Sequence, residues 1–365
     1  MTARRATVHT VVAGLASLAS LMFLAGAFAR QEVFTPDQRK AMQQIDRVRV
    51  EALALTEQGQ TDAGPIATLA SLRLQELGFA TTTDTAQPHD AVLRIKCEQR
   101  KVWEGTGRSG GDADLPDSPS RTWKGPACQL RYLLNGHLMS WAKEVRTDYA
   151  DARTAAVDVH AGDPGAFALE GLRQRLAEYD FPVFLATEWG QETRLLRALE
   201  APTLPPTRAV HLIRALGDLF SEQAVPALQR HLAASDPQLA AAAAVALGNI
   251  GHRDSVAALI DALRNGRPEL RVAAARGLGK VGALHGDASI IPPLLEALQT
   301  DDVVLRTEVV WALGQLPDRR SFEPLSALQR SLRDVRTSDR QTPEGRLWDA
   351  VTYSLKELDG FDQIN

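Results

Sequence analysis

The sequence predicts two folds in series: an α+β domain with a mostly antiparallel sheet, then an all-α solenoid of four helical repeats plus a capping half-repeat. Three observations predict this. The segments RAVHLIRALGDL, QLAAAAAVALGNI, ELRVAAARGLGKV and VLRTEVVWALGQL each run into a Leu-Gly pair, at Leu216-Gly217, Leu247-Gly248, Leu278-Gly279 and Leu313-Gly314. These glycines fall 31, 31 and 35 residues apart, and self-similarity at that period is the signature of a solenoid. Upstream, apolar and polar residues alternate in several short runs between Arg47 and Thr147, the period of strands. Between the two regions, Pro202, Pro205 and Pro206 punctuate the chain.

Residues 1–29 read as an export signal or an N-terminal membrane anchor. Arg4 and Arg5 form a basic start, Val11 to Phe28 is apolar and uncharged, and Ala27-Phe28-Ala29 offers a small-x-small cleavage pattern before Arg30. An uncleaved segment of this length just spans a bilayer. The expected location is the periplasm or cell envelope, with inner-membrane anchoring as the variant if cleavage fails.

Residues 30–184 are expected to form the α+β domain. Thr35, Pro36 and Gln38 open a short helix as N-cap, N1 and N3. Val48 and Val50 alternate with Arg47, Arg49 and Glu51, which predicts a strand. Gly64-Pro65 starts a helix with Ile66, Leu69, Leu72 and Leu77 inward and Gly78 ending it. Ala91 to Trp103 and Ala127 to Asn135 are strands, and Asn135-Gly136 is a two-residue hairpin turn into His137–Thr147. Pro164 to Tyr179 is helical. The expected order is β-α-β-β-β-α. The strand–helix–Leu77-Gly78-Phe79–strand order is similar at fold level to small periplasmic domains of the TolB N-terminal type, a likeness that carries no function. Residues 185–206 are expected to be one connecting helix, Leu185 to Ala201, and a Pro-rich linker.

Residues 207–365 are the predicted solenoid. In each unit a first helix places small or apolar residues at helical spacing, as at Leu270, Ala274, Ala275 and Leu278. The Gly after Leu is expected at the C′ position, where φ > 0 ends a helix. A second helix follows, as at Val256, Leu259, Ile260 and Leu263. One pair cannot bury its own stripe, so neighbours must stack. The longer third interval predicts a loop insertion at Ala283–Ala288. Leu347 to Leu355 aligns with a fifth first helix, with Trp348 at the Arg position and Lys356 at the Gly position. Leu347, Val351 and Leu355 are expected to cover the fourth unit, with Asp349 and Lys356 facing water. Arg333–Arg346 is read as a loose connection.

These units resemble HEAT-like repeats of the short bacterial kind also seen in phycobilin lyases. The family pattern is roughly Asp-Pro-x-Val-Arg-x-x-Ala-x-x-Ala-Leu-Gly. Asp236-Pro237 matches its start, Arg271 and Arg306 match its Arg, and Ala240 breaks the Arg ladder in the second unit. The resemblance implies a solenoid fold from roughly Pro202 onward and a binding role. It implies almost nothing about reaction chemistry.

The residues themselves offer little chemistry. The net charge is −4 and 24% of residues are charged, so no global basic signal points to nucleic acid. The two cysteines, Cys97 and Cys128, flank the Glu104–Pro126 loop. If that loop joins an antiparallel pair with Trp103 near Trp123, the two lie opposite or beside each other, and an oxidising compartment then predicts a disulfide. That bridge is worth ~3–4 kcal/mol on the chain-entropy account. GTGRSGGDAD (Gly105–Asp114) lacks the Gly-Lys-Ser/Thr of a phosphate loop. Asp112, Asp114 and Asp117 lack an EF-hand continuation and read as a solvated loop. No His pair has zinc spacing, no His-Glu dipeptide occurs, and no GxSxG elbow is present. No metal, cofactor or catalytic residue is expected.

Aligning the units places Arg230, Asp261, Glu296 and Ala327 in one exposed row of the second helices, and Arg264, Gln299 and Arg330 in the next. Such rows are expected on a concave binding surface, and their mixed signs suit a protein or peptide partner rather than a phosphate backbone. On the first helices Trp311 takes the place held by Arg214, Val245 and Arg276; it is a contact site if exposed, and the alternative is that it packs against the final helix. The expected function is a non-catalytic scaffold or adaptor that binds a protein or peptide in the cell envelope. The alternative is an accessory enzyme or maturation factor of the HEAT-like lyase type.

Overall fold

The computed structural model describes residues 34–99, 125–316, 318–334 and 341–362. The export segment, Trp103, Trp123, the glycine-rich stretch and Asp112, Asp114 and Asp117 lie outside the described residues, as does residue 30 with its expected cleavage site.

The first domain begins with α1 (Pro36–Gln43). Thr35 and Gln38 form the expected capping box: Gln38 N–H donates to Thr35 Oγ1 at 3.2 Å, and Thr35 N–H to Gln38 Oε1 at 2.8 Å. There follow β1 (Arg47–Thr56), β2 (Gly59–Thr61), α2 (Gly64–Glu76), β3 (Ala80–Thr82), β4 (Ala91–Glu98), β5 (Ala127–Leu134), β6 (His137–Arg146), α3 (Ala152–Asp158) and α4 (Pro164–Glu178). The six strands form one sheet in the order β2-β1-β4-β5-β6, with β3 also paired to β1. β2–β1, β4–β5 and β5–β6 are antiparallel, while β1 runs parallel to β3 and β4. The sheet is therefore mixed, mostly antiparallel. The parallel step follows from α2, which carries the chain across the sheet so that it re-enters beside β1 in the same direction.

Two short strands, β2 and β3, were not expected, because three residues are too few to show a period. The Asn135-Gly136 turn is present, with φ of 50° and 79°, the primed geometry that lets strands twist correctly. One sheet face is buried by Val48, Val50, Leu93, Ile95, Leu130 and Tyr132 under α2 and α4. The other face carries Glu51 with Arg49 and Arg94, each at 2.6 Å. On α2 the inward stripe is Ile66, Ala70 and Leu74, continued by Leu77 beyond the helix. Leu72, expected inside, is 54% exposed: it sits two residues before Leu74, on the opposite side of the helix.

Cys97 and Cys128 stand directly opposite in the β4–β5 ladder, are fully buried, and are bonded to each other. The expected pairing holds because the antiparallel register puts them side by side. The bridge closes a separation of 31 residues, so replacing both cysteines with alanine should lower unfolding free energy by about 3 kcal/mol. A urea titration of the two proteins measures this, and coincident midpoints would refute it.

The expected single connecting helix is two helices, α5 (Phe181–Glu188) and α6 (Glu192–Leu199), broken at Gly190 with φ of 65°. They lie against α7, the first helix of the array. Trp189 at the end of α5 is buried edge-on between Phe79 and Tyr132, at 5.6 and 5.5 Å. Gln191 donates to Ile45 O at 2.8 Å, and Arg194 lies over the Phe79 ring and bonds Asp46 at 2.9 Å. The α5–α6 pair is thus shared: it closes the array at one end and fastens it to the sheet domain.

The array continues as α7 (Pro206–Asp218) with α8 (Val225–Leu232), α9 (Pro237–Ile250) with α10 (Ser255–Asn265), α11 (Pro268–His285) with α12 (Ile291–Ala297), α13 (Val303–Gly314) with α14 (Phe322–Ser331), and α15 (Pro343–Asp362) alone. The first helices α7, α9, α11, α13 and α15 stack in sequence. The repeated glycines are not C′ residues. Gly217, Gly248 and Gly279 lie inside their helices and Gly314 is the last residue of its own, none with positive φ. They permit close stacking instead. A Cβ on Gly217 or Gly279 would stand 2.9 or 2.8 Å from the Cα of Ala246 or Ala312, and one on Gly248 would stand 2.5 Å from Gly277 Cα. The helix-ending glycines are Gly251 and Gly286, with φ of 73° and 61°. The extra residues of the third unit are not a loop either. They lengthen α11 to His285, a helix of 18 residues.

The pattern's Arg also has a structural role. Arg271 Nε donates to Leu263 O at 2.9 Å, and Arg306 donates to Thr300 O. Each satisfies a carbonyl at or just beyond the end of the preceding second helix, which would otherwise lack a donor. At the far end α15 covers the fourth unit through Leu347, Ala350 and Val351, all buried, with Leu355 partly buried and Lys356 exposed. Lys356 stands where earlier units have Gly, so no further helix can approach closely. Of the expected loose connection, residues 335–340 lie outside the described residues, and Pro343 to Arg346 begin α15.

Candidate functional site

Two regions of the molecule bear on function: the junction of the domains and the faces of the array. At the junction, a cleft of about 910 Å³ lies between α2, the α4–α5 corner and the start of α7. Asp180 sits at that corner, 3% exposed. It occupies the N-cap position of α5 but makes no side-chain cap bond, because its carboxylate turns to three cations or potential cations. Arg73 Nη2 reaches Oδ1 at 3.2 Å, Arg208 Nε approaches it at 3.6 Å, and His211 Nδ1 is 3.4 Å from Oδ2. Glu76 joins the two arginines, at 2.5 Å to Arg73 and 2.7 Å to Arg208. Helical spacing explains the convergence: Arg73 and Glu76, like Arg208 and His211, are i, i+3 pairs on one helix face.

The lining holds the two guanidinium groups against the carboxylates of Glu76, Glu178 and Asp180. That balance gives no net pull on an anion, and each arginine is paired with carboxylates of the protein, although Arg73 Nε and Arg208 Nη2 are buried without a hydrogen-bond partner. The network fastens domain to domain. Asp180→Asn should cost about 3 kcal/mol, as removing one partner of a buried charge cluster does. Thermal unfolding of the variant checks this; an unchanged melting temperature would show that Glu76 alone suffices. Among the described residues no group of three His, Cys, Asp or Glu side chains could hold a metal ion. No described helix is long and apolar enough to cross a membrane.

The sequence-selected row on the second helices is exposed but largely self-paired. Arg230 bonds Glu200 at 3.1 Å, Arg264 bonds Glu296 at 3.0 Å, and Arg330 bonds Glu323 at 2.7 Å. Asp261 accepts from Asn265 at 2.8 Å, and Gln299 is exposed near the end of its unit. Beside Arg230, burial and then the Arg230 charge lower the His231 pKa.

The first-helix face differs. Arg276 reaches the next unit and holds Glu308 with two bonds, of 3.0 and 2.5 Å; these hold the guanidinium charged. Beyond it Trp311 and Tyr353 form a tilted ring pair 5.3 Å apart, with Tyr353 53% exposed. Val245, Val272 and Val304 lie along the same face, Val304 55% exposed. The first helices meet backbone to backbone while the second helices touch more sparsely, so each unit is narrow on its first-helix side. A stack of such wedges bends toward its narrow side.

The model of the HEAT repeat family matches residues 194–268 and 256–341. Residues 194–341 are HEAT repeats. The match begins inside α6, upstream of the boundary at residue 207 expected from sequence, consistent with the α5–α6 pair closing the array. Several solved structures are similar in part. An engineered protein is 17% identical, with 50% of this chain and 84% of that chain covered and a TM-score of 0.34. Human deoxyhypusine hydroxylase in complex with glycerol is 16% identical, covering 57% and 90%, with a TM-score of 0.26. The CpcE–CpcF complex of phycocyanin lyase from a Nostoc species is 18% identical, covering 49% and 88%, also at 0.26. Among curated proteins no sequence matches significantly.

Sequence reasoning did not find Asp180, Arg73, Arg208 and His211 as a group. Arg73 and Asp180 are 107 residues apart and belong to no motif; the packing of α4 against α2 brings these two together, and α7 adds Arg208 and His211. Tyr353 was legible as the counterpart of Trp311, but its contact with that ring was not.

Proposed function

We propose that this chain is a non-catalytic scaffold of the cell envelope that binds a protein partner on the first-helix face of its HEAT repeats. The observation that carries the reading is the contrast between the two faces. Charges on the second helices pair with one another, whereas the first helices present Val245, Val304, Trp311 and Tyr353, an apolar lane on the narrow side of the units. Exposed aromatic anchors with apolar neighbours are what interfaces use. Of the residues singled out from sequence, Trp311 lies on this face. Export is supported by Arg4, Arg5 and the apolar run to Phe28, and by a buried disulfide suited to an oxidising compartment.

The alternative, an accessory enzyme or maturation factor, would be sited in the Asp180 cleft. There the arginines and the imidazole face carboxylates of the protein itself, which favours the scaffold. Photo-crosslinking residues placed at Val245 and Val304, with Asp261 as the second-helix comparison, test the proposal in native cells. The expected result is one protein crosslinked from the first-helix positions. Crosslinks from Asp261 alone would refute the chosen face, and a bound cofactor or turnover by purified protein would favour the alternative. N-terminal sequencing of native protein should give a start near Arg30; an intact Met1 in the cytosolic fraction would overturn the proposed location.

A further inference from the structure

We infer that Trp311, Tyr353 and Glu357 form a receptor for a basic side chain, arginine or lysine, carried by the partner polypeptide. The inference rests on the scaffold reading and names the partner chemistry of its first-helix face. Three observations converge. The Trp311 and Tyr353 rings lie 5.3 Å apart at 52°, a tilted pair at the surface in which Tyr353 is half exposed and Trp311 half-buried. The face of an aromatic ring is the negative end of its quadrupole and attracts a cation.

The Glu357 carboxylate stands one turn along α15 from Tyr353. Its negative charge, and after that a hydrogen bond from the tyrosine hydroxyl, raise the pKa of that hydroxyl. Glu357 is itself exposed. An exposed carboxylate thus stands at the edge of the aromatic pair, where one cation would meet both its charge and the rings. Trp311 also occupies the row position held by Arg276 one unit earlier. That arginine is spent on Glu308 and cannot serve the aromatic pair.

An acidic side chain would meet the Glu357 charge and the negative ring faces together. A purely apolar one would leave the carboxylate without a counter-charge. The arrangement therefore discriminates by charge as well as by shape.

The test uses the full-length protein and a short peptide of alternating arginine and glycine, with the same peptide carrying glutamate as control. Tryptophan emission is followed at low salt. Saturable quenching is expected with the arginine peptide only, weakening as salt is raised. Tyr353→Ala and Glu357→Gln should each weaken binding about fivefold to tenfold. Trp311→Phe should abolish the signal while isothermal titration still detects binding. Because Tyr353 and Glu357 are exposed, these variants should keep the parent melting temperature, which separates recognition from folding. Equal binding of the two peptides, or unchanged affinity in both variants, overturns the inference. If the crosslinked partner of the first-helix face binds Tyr353→Ala as tightly as the parent, the inference fails while the scaffold reading stands. If no partner crosslinks at all, the scaffold reading fails first.

Discussion

Gly248→Ala should destabilise the array by about 2 kcal/mol net, although alanine is the better helix former. The two effects oppose each other. In a helix interior alanine gains ~1 kcal/mol over glycine. The new methyl group, however, would stand 2.5 Å from Gly277 Cα and 3.4 Å from its carbonyl atoms. Those are backbone atoms of the next helix, so relief requires moving α9 away from α11. Overpacking of a tight core costs ~1–3 kcal/mol even when side chains can adjust, and here they cannot. Gly282→Ala is the comparison, because its Cβ meets only the flexible ends of Leu316 and Ile290. It should cost less than about 1 kcal/mol or be neutral. Urea unfolding of the two variants decides. If both behave alike, close helix contact is not why the repeats carry glycine.

Deleting Pro343 to Asn365 should destabilise the array more than any single substitution. α15 buries Leu347, Ala350, Val351 and Leu358 against the fourth unit. At ~1.5–3 kcal/mol for each of the three larger side chains, the loss is about 5–9 kcal/mol. Polar contacts go too: Ser354 Oγ donates to Val310 O at 3.1 Å, and Gln329 donates to Thr352 at 3.2 Å. The freed surface includes Leu313, Leu325 and the glycine that stacks on Ser354. The shortened protein should melt well below the full chain and self-associate. A monomer with the parent melting temperature would show that the array is complete at α14.

Much of the fold is legible in the sequence because its signals are local or periodic. The capping box at Thr35, the hairpin turn at Asn135-Gly136 and the two helices of each unit depend on residues only a few positions apart. The opposition of Cys97 and Cys128 is legible for a related reason, since register within one ladder is arithmetic once the loop is identified as joining antiparallel strands. The family of the array is legible because four units repeat one pattern.

The remaining features were decided by distant parts of the chain. The repeated glycine looks the same in sequence whether it ends a helix or admits a neighbour. The structure assigns it the second role, because what stands opposite Gly248 is Gly277, one unit later. The parallel pairing of β1 with β4 depends on where α2 lies, which no alternation of Val48 and Val50 records. The same holds for function. Sequence alignment finds the rows of the array but not which charges are already matched. Arg264 and Glu296 are 32 residues apart and pair only because the units stack. What the sequence determined by itself was the repeating unit and its faces. Only the tertiary structure decided which face has unspent binding groups, because neutralisation of a charge and exposure of a ring depend on the layer above.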